Sequence, residues 1–335
     1  MQVKKHLVPI FIAVLAGYNL LFGADFSNYT GLVSFSKIAK PVTPPLYGIV
    51  KDGYTMTFLP YTSLAYNSKN VITYLKPQTP VVITAESTDG LFYFAETSIV
   101  SGFLPKNSII TIDSEIFGII TKAKKGLVKE PIIIDDLRLP IATKLPILAM
   151  KKKQYKVRVF TPDIKDVWLT SKQFTEPLPI NRENLVKTTL IFKKKPYCWG
   201  SNENAWDCSG LLMDYFAFFD IDMPRNSYQQ INFFDKLDVS DKTLKEKEKI
   251  LKKSKPYLTL LYFPGHIMLY TGKKGKEFMT FQALNRIGNK RYGLVGYFPL
   301  KKTGLLSRVT KIGFIKKENQ NLKYHLSEAK IKVSN

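Results

Sequence analysis

Between about residue 51 and residue 173 the apolar residues recur at every second position in short runs separated by polar turns, and after Asn181 the spacing changes to one that suits helices. Alternation puts one face of a strand in a core and the other in solvent, whereas a three-to-four spacing builds a buried stripe on a helix. A chain whose period changes in this way folds as a β-rich part followed by a mixed domain. TPVVITAE carries an alternating run over Pro80–Thr84, and DGLFYFAE another over Gly90–Ala95, with Asp89-Gly90 supplying the turn. A second set runs from about Phe117 to Gln173: GIITKA, EPIIID, LPILAM, QYKVRVF and DVWLT. The two groups, at 51–115 and 116–178, predict two small β-barrels, although periodicity alone also allows one larger β-domain. Pro41, Pro44 and Pro45 mark 25–50 as an arm or linker.

From about residue 179 to 315 the pattern predicts an α+β domain. Asn181 caps a helix start, another helix begins near Cys208, and a charged helix covers about Ser240–Lys253. Strands at 257–263, 266–272 and 277–283 follow. Residues 316–335 form a polar, basic tail.

Charge narrows the list of partners. Lys and Arg number 50 against 27 Asp and Glu, a formal charge of +23, which suits nucleic acid, an anionic membrane or an acidic wall polymer. Lys4 and Lys5 precede an uncharged stretch from Leu7 to Ala24, so residues 1–24 read as a secretory signal. The body of the chain is then expected outside the cytoplasm, in the periplasm or envelope, released by cleavage or held on an uncleaved N-terminal anchor. Export argues against a nucleic-acid role and leaves attraction to anionic envelope surfaces. Two Cys and three His exclude a disulfide scaffold and metal sites built from several thiolates or imidazoles.

The chemistry concentrates around one cysteine. Apolar residues at 211, 212, 215, 216 and 219 place a buried helix directly after Asp207-Cys208-Ser209-Gly210, with Asp207 as its N-cap. A thiol at a helix N-terminus has its thiolate stabilised, and the same N–H groups can hold a developing oxyanion. A buried structural cysteine is the plainer alternative. His6 falls in the signal and His325 in the tail, which leaves His266 as the candidate base, with a satisfied structural histidine as the plainer alternative. HIMLYTG and EFMTFQA flank a turn centred on residue 274, so a symmetric hairpin sets Gln282 opposite His266. Gln282 can then fix the imidazole tautomer and free the other nitrogen to activate Cys208. A one-residue slip would instead turn Gln282 toward solvent.

These residues resemble the NlpC/p60 cysteine peptidases of bacterial cell walls. The resemblance runs through Pro196-Tyr197-x-Trp199-Gly200, Asp207-Cys208-Ser209-Gly210, Pro224-Arg225-Asn226-Ser227 and Pro264-Gly265-His266, with a polar residue on the next strand. It implies an α+β papain-like catalytic domain preceded by two SH3-like barrels; LPYTSL near residue 60 and the DGLFYFAE–GFLP run are similar to the first such module. Cys208 is then the nucleophile, His266 the base and later acid, and Gln282 the orienting residue. Tyr197, Asp207, Ser209 and Ser227 correspond to positions lining a pocket for a free L-Ala amine, while Arg225 braces the fold. The implied reaction is cleavage of the γ-D-glutamyl–diamino acid bond in peptidoglycan stem peptides or muropeptides, with no metal or other cofactor. A non-catalytic wall-binding protein that keeps the peptidase fold is the alternative. Two departures stand out: Ser201 replaces a glycine of the usual Trp-Gly-Gly, and Gln282 stands where His is common. The two thiols, Cys198 and Cys208, are expected to be free because Cys208 fits the catalytic motif; a Cys198–Cys208 disulfide, which would block the nucleophile, is the alternative in an exported chain.

Overall fold

The computed structural model describes residues 35–60, 70–161 and 163–320. The expected signal, LPYTSL beyond Pro60, and the tail beyond residue 320 lie outside the described residues.

A mostly β region precedes an α+β domain. Its first sheet has seven strands in the order β3-β2-β6-β5-β4-β1-β7. These are β1 (Ala39–Val50), β2 (Tyr54–Thr57), β3 (Val71–Leu75), β4 (Pro80–Ser87), β5 (Phe92–Glu96), β6 (Ser101–Pro105) and β7 (Ile109–Ile112). Much of the stretch expected as an arm is therefore β1, paired with both β4 and β7. Its prolines fit because the ladder to β4 shifts register between Pro41 and Leu46, where no N–H is needed.

GIITKA, expected as a strand, instead lies in helix α1 (Ser114–Lys122), whose cap Asp113 accepts the Ile116 N–H at 2.7 Å. Ile116, Phe117, Ile119 and Ile120 follow helical spacing, and a local cap outweighs β-branched propensity. Ile120 packs with Ile49 and Phe160, linking the two β groups.

The second group comprises β8 (Lys125–Val128), β9 (Ile132–Ile134), β10 (Leu137–Leu139), β11 (Lys144–Lys151), β12 (Gln154–Phe160), β13 (Ile164–Thr170) and β14 (Phe174–Thr175). Its main sheet, β13-β12-β11-β8-β14, is an open half-barrel with β9 and β10 as a separate hairpin. The second group is thus a half-barrel where a closed barrel was expected.

The α+β domain is built on an antiparallel sheet of order β15-β20-β16-β17-β18-β19. The strands are β15 (Asp235–Asp238), β16 (Thr259–Phe263), β17 (His266–Lys274), β18 (Glu277–Ile287), β19 (Lys290–Pro299) and β20 (Lys311–Phe314). Helices α2 (Arg182–Phe192), α3 (Cys208–Ala217) and α4 (Ser227–Phe233) supply one core, in which Leu185, Leu212 and Ile231 meet Leu260, Ile267 and Phe281. On the other face Leu251 of α5 (Leu244–Lys253) and Leu305 of α6 (Leu305–Arg308) meet Leu261, Phe263 and Met268. Both faces are covered, which is why TLLYF is apolar throughout.

The β region is anchored to this domain. The β3 edge donates its Tyr74 N–H to the Gly200 carbonyl at 2.8 Å. Lys76 pairs with Asp214 of α3 at 2.6 Å, with both side chains largely buried.

Candidate active site

Helix α3 begins at Cys208 because Asp207 caps it: the carboxylate accepts the Gly210 N–H at 2.7 Å. Asp207 is buried and fully engaged. Its other oxygen takes the Gly200 N–H at 2.9 Å, and the Ser209 hydroxyl donates to the first at 3.3 Å. Arg225 forks onto both oxygens, at 2.5 and 3.2 Å, and also donates to Ser209 Oγ at 2.8 Å. A further Arg225 donor, Nε, reaches Thr73 Oγ1 of β3 at 2.7 Å. Arg225 thus braces the site from inside, as expected. Thr73 carried no sequence signal, because its partner lies far along the chain. An ammonium could join Asp207 only by exchange, and the Ser209 hydroxyl holds the longest of these contacts.

Cys208 as a residue is 7 % exposed. Its sulfur accepts backbone N–H groups from Ile267 and Ser209, which puts it beside the residue that follows His266. Burial, with Asp207 adding to it, pushes the thiol up to about 12 despite those donors and Arg225. Burial is thus the largest influence on the resting thiol and outweighs the backbone donors that favour the thiolate. Burial also lowers His266 below the ordinary 6.5, so the imidazole is neutral near pH 7. The resting pair is a thiol and a free base.

His266 Nε2 lies 2.6 Å from Gln282 Oε1. Gln282 is wholly buried, and its Nε2 donates to Thr280 Oγ1 at 2.8 Å. The Thr280 hydroxyl spends its own proton on the Phe298 carbonyl at 3.2 Å. It can only accept from Gln282, so the amide must turn its oxygen to the imidazole. The imidazole must then carry its proton on Nε2, which leaves Nδ1 as the basic nitrogen.

The contact was anticipated, but by a different register. β17 and β18 pair Leu269 with Phe281 and Lys274 with Glu277, with a shift between Tyr270 and Gly272. The turn is therefore Gly275-Lys276, and Gln282 reaches His266 diagonally rather than as its direct partner. Thr280, two residues from Gln282 on the same strand face, is a further member of this chain, and strand periodicity is the sequence signal that points to it.

Tyr197 is half-buried at a bridge to Trp206, and burial with Cys208 and Asp207 nearby raises its hydroxyl. Ser227 opens α4 after the cap Asn226. Ser201 holds the left-handed conformation of the glycine it replaces, with φ +65°, and its Oγ accepts the Asp207 N–H at 3.5 Å. Cys198 and Cys208 are both free thiols.

Residues 194–291 match the family model described as NlpC/P60 family. The chain carries an NlpC/P60 domain. Members of this family are in general cysteine peptidases that act on peptidoglycan. Among solved structures, the chain is similar to an NlpC/P60 endopeptidase of Photobacterium damselae subsp. piscicida, with 20% identity over 80% of this chain and 72% of that one and a TM-score of 0.63. It is also similar to an NlpC/P60 family protein of Bacillus cereus ATCC 10987, at 15% identity over 80% of this chain and 98% of that one, with a TM-score of 0.59. At these identities the likeness is one of fold, and it reaches well beyond the NlpC/P60 domain into the β region. No curated protein matches the sequence. No helix among the described residues is long and apolar enough to cross a membrane.

Proposed function

We propose that this NlpC/P60 protein is an exported endopeptidase that cleaves peptidoglycan stem peptides between γ-D-Glu and the following diamino acid. The observation that carries the reading is the His266–Gln282–Thr280 chain, which leaves one ring nitrogen basic, while Cys208 opens a helix next to the backbone of Ile267, the residue that follows His266. His266 Nδ1 takes the Cys208 proton as sulfur attacks the γ-carbonyl, so the thiolate forms only as it is consumed. The Cys208 N–H, among the first of α3 and without an intrahelical acceptor, faces the developing oxyanion. Collapse breaks the C–N bond, and the imidazolium gives its proton to the leaving amine. His266 then activates water, which hydrolyses the thioester and restores the thiol.

Tyr197, Asp207, Ser209 and Ser227 line the side that receives the acyl portion, with a preference for a free N-terminal L-Ala. The ammonium displaces the Ser209 hydroxyl from Asp207. The β region, in the manner of SH3-like modules, stabilises that wall through Thr73 and Arg225.

The test is digestion of L-Ala-γ-D-Glu-diamino acid peptides with free and with acetylated N-termini, read by mass spectrometry. The proposal expects L-Ala-D-Glu and the diamino acid from the free peptide and little product from the acetylated one. Intact free peptide after prolonged incubation refutes it and favours a wall-binding protein that keeps the peptidase fold.

A further inference from the structure

Arg308 closes α6 and is exposed beside the catalytic base. Its guanidinium carbon lies 4.1 Å from the centre of the Phe263 ring. Phe263 in turn stacks at 5.3 Å and 35° on the imidazole of His266. Among the described residues Arg308 forms no ion pair, whereas the buried Arg225 is held by Asp207, Ser209 and Thr73. A guanidinium laid on an aromatic face keeps its N–H edges free for a planar anion, and the ring fixes where they point.

The sheet order shows which part of a substrate meets it. β16 and β20 lie on one side of β17, and β18 with Gln282 on the other. Arg308 leads into β20, so it stands across His266 from Gln282. The same flank carries a second cation on an aromatic ring, Lys311 at 5.4 Å over Tyr228, with Tyr228 packed at 6.5 Å on Tyr262. The acyl half of a substrate is bonded to Cys208, while the leaving amine must take its proton from His266. The residue that carries that amine therefore lies next to His266, on the flank that Arg308 occupies.

We propose that Arg308 binds a carboxylate on the leaving residue and so selects among diamino acids. The inference rests on the endopeptidase reading for the direction of the substrate. Two carboxylates share this chemistry: the side-chain carboxylate of a diamino diacid, and the main-chain carboxylate of a peptide that ends there.

Binding to Cys208→Ala protein tests the proposal without turnover, with and without Arg308→Gln, using three L-Ala-γ-D-Glu-X peptides. In the first, X is a diamino diacid with its main-chain carboxyl amidated. In the second, X is lysine with a free main-chain carboxylate, and in the third, lysine amide. The expected result is that one of the first two binds about 10- to 100-fold more tightly than the third, as charged hydrogen bonds allow, and that Arg308→Gln abolishes the difference. Which of the two loses affinity identifies the carboxylate. Arg308→Lys, which keeps the charge without the fork, restores part of it.

Equal discrimination with and without Arg308, or none in the parent protein, overturns the inference. Turnover of the same peptides by wild-type protein is scored separately. Failure to cleave refutes the endopeptidase reading, while the binding ratios still decide whether Arg308 is a carboxylate site.

Discussion

Thr280→Val removes a single hydroxyl that touches neither the thiol nor the imidazole, yet the hydrogen-bond chain predicts a catalytic effect. In the native site the hydroxyl accepts from Gln282 Nε2 at 2.8 Å and donates to the Phe298 carbonyl at 3.2 Å. Valine leaves a buried amide N–H without an acceptor, at a cost of about 1–3 kcal/mol. That cost is removed from the choice between the two amide orientations. A flipped Gln282 offers N–H to the imidazole, which forces the proton onto Nδ1 and blocks the base. At about 1.4 kcal/mol per factor of ten, kcat should fall by roughly 10- to 100-fold, with KM little changed because substrate contacts remain. Thr280→Ser keeps the hydroxyl and should stay near wild type. The assay is steady-state cleavage of a free-amine stem peptide, paired with ¹⁵N spectra of the His266 ring. If Thr280→Val is folded, keeps kcat within about twofold and retains the Nε2–H tautomer, the relay argument is wrong.

Three further outcomes follow from the same geometry. Arg225→Met leaves the buried Asp207 carboxylate without its cation, so urea denaturation should show a loss of about 3–5 kcal/mol; a loss below about 1 kcal/mol would contradict the brace. Burial lowers His266 below 6.5, so the acid limb of kcat/KM should lie below that value, and a limb above it would contradict a desolvated base. Because the folded state binds fewer protons there, His266 contributes stability that is present above 6.5 and is lost as pH falls through the lowered value. Gly200→Ala should destabilise the junction with the β region, since φ is +78° and an added Cβ would meet Val71 Cγ1 at 2.3 Å. The strain alone is about 1–3 kcal/mol, readable as a fall in thermal midpoint, and an unchanged midpoint would show that the junction yields freely.

The site was legible where chemistry and local pattern coincide. Asp207 caps the helix and Cys208 opens it because both properties depend on adjacent residues. The His266–Gln282 contact was also within reach, since a hairpin fixes which residues share a face, although the bulge near Thr271 and the two-residue turn moved the register. What escaped depended on distance in sequence. Thr73 meets Arg225 across 152 positions, and no periodicity encodes that contact. The thiol's desolvation is a related case: a helix N-terminus can be read from four residues, but burial by packed layers cannot. In the β region, alternation identified most strands but not their closure, so a half-barrel stands where a barrel was expected. The prolines of β1 looked like a linker because the interrupted ladder that accommodates them is visible only once β4 is in place.

The central claim is that Cys208 attacks a γ-D-glutamyl carbonyl with His266 as its base. The most direct measurement is the mass spectrum of muropeptides with a free L-Ala terminus after incubation with wild-type protein and, in parallel, with Cys208→Ala. The account predicts release of L-Ala-D-Glu by wild type and intact substrate with the variant. Equal product from both proteins, or from neither, would contradict it.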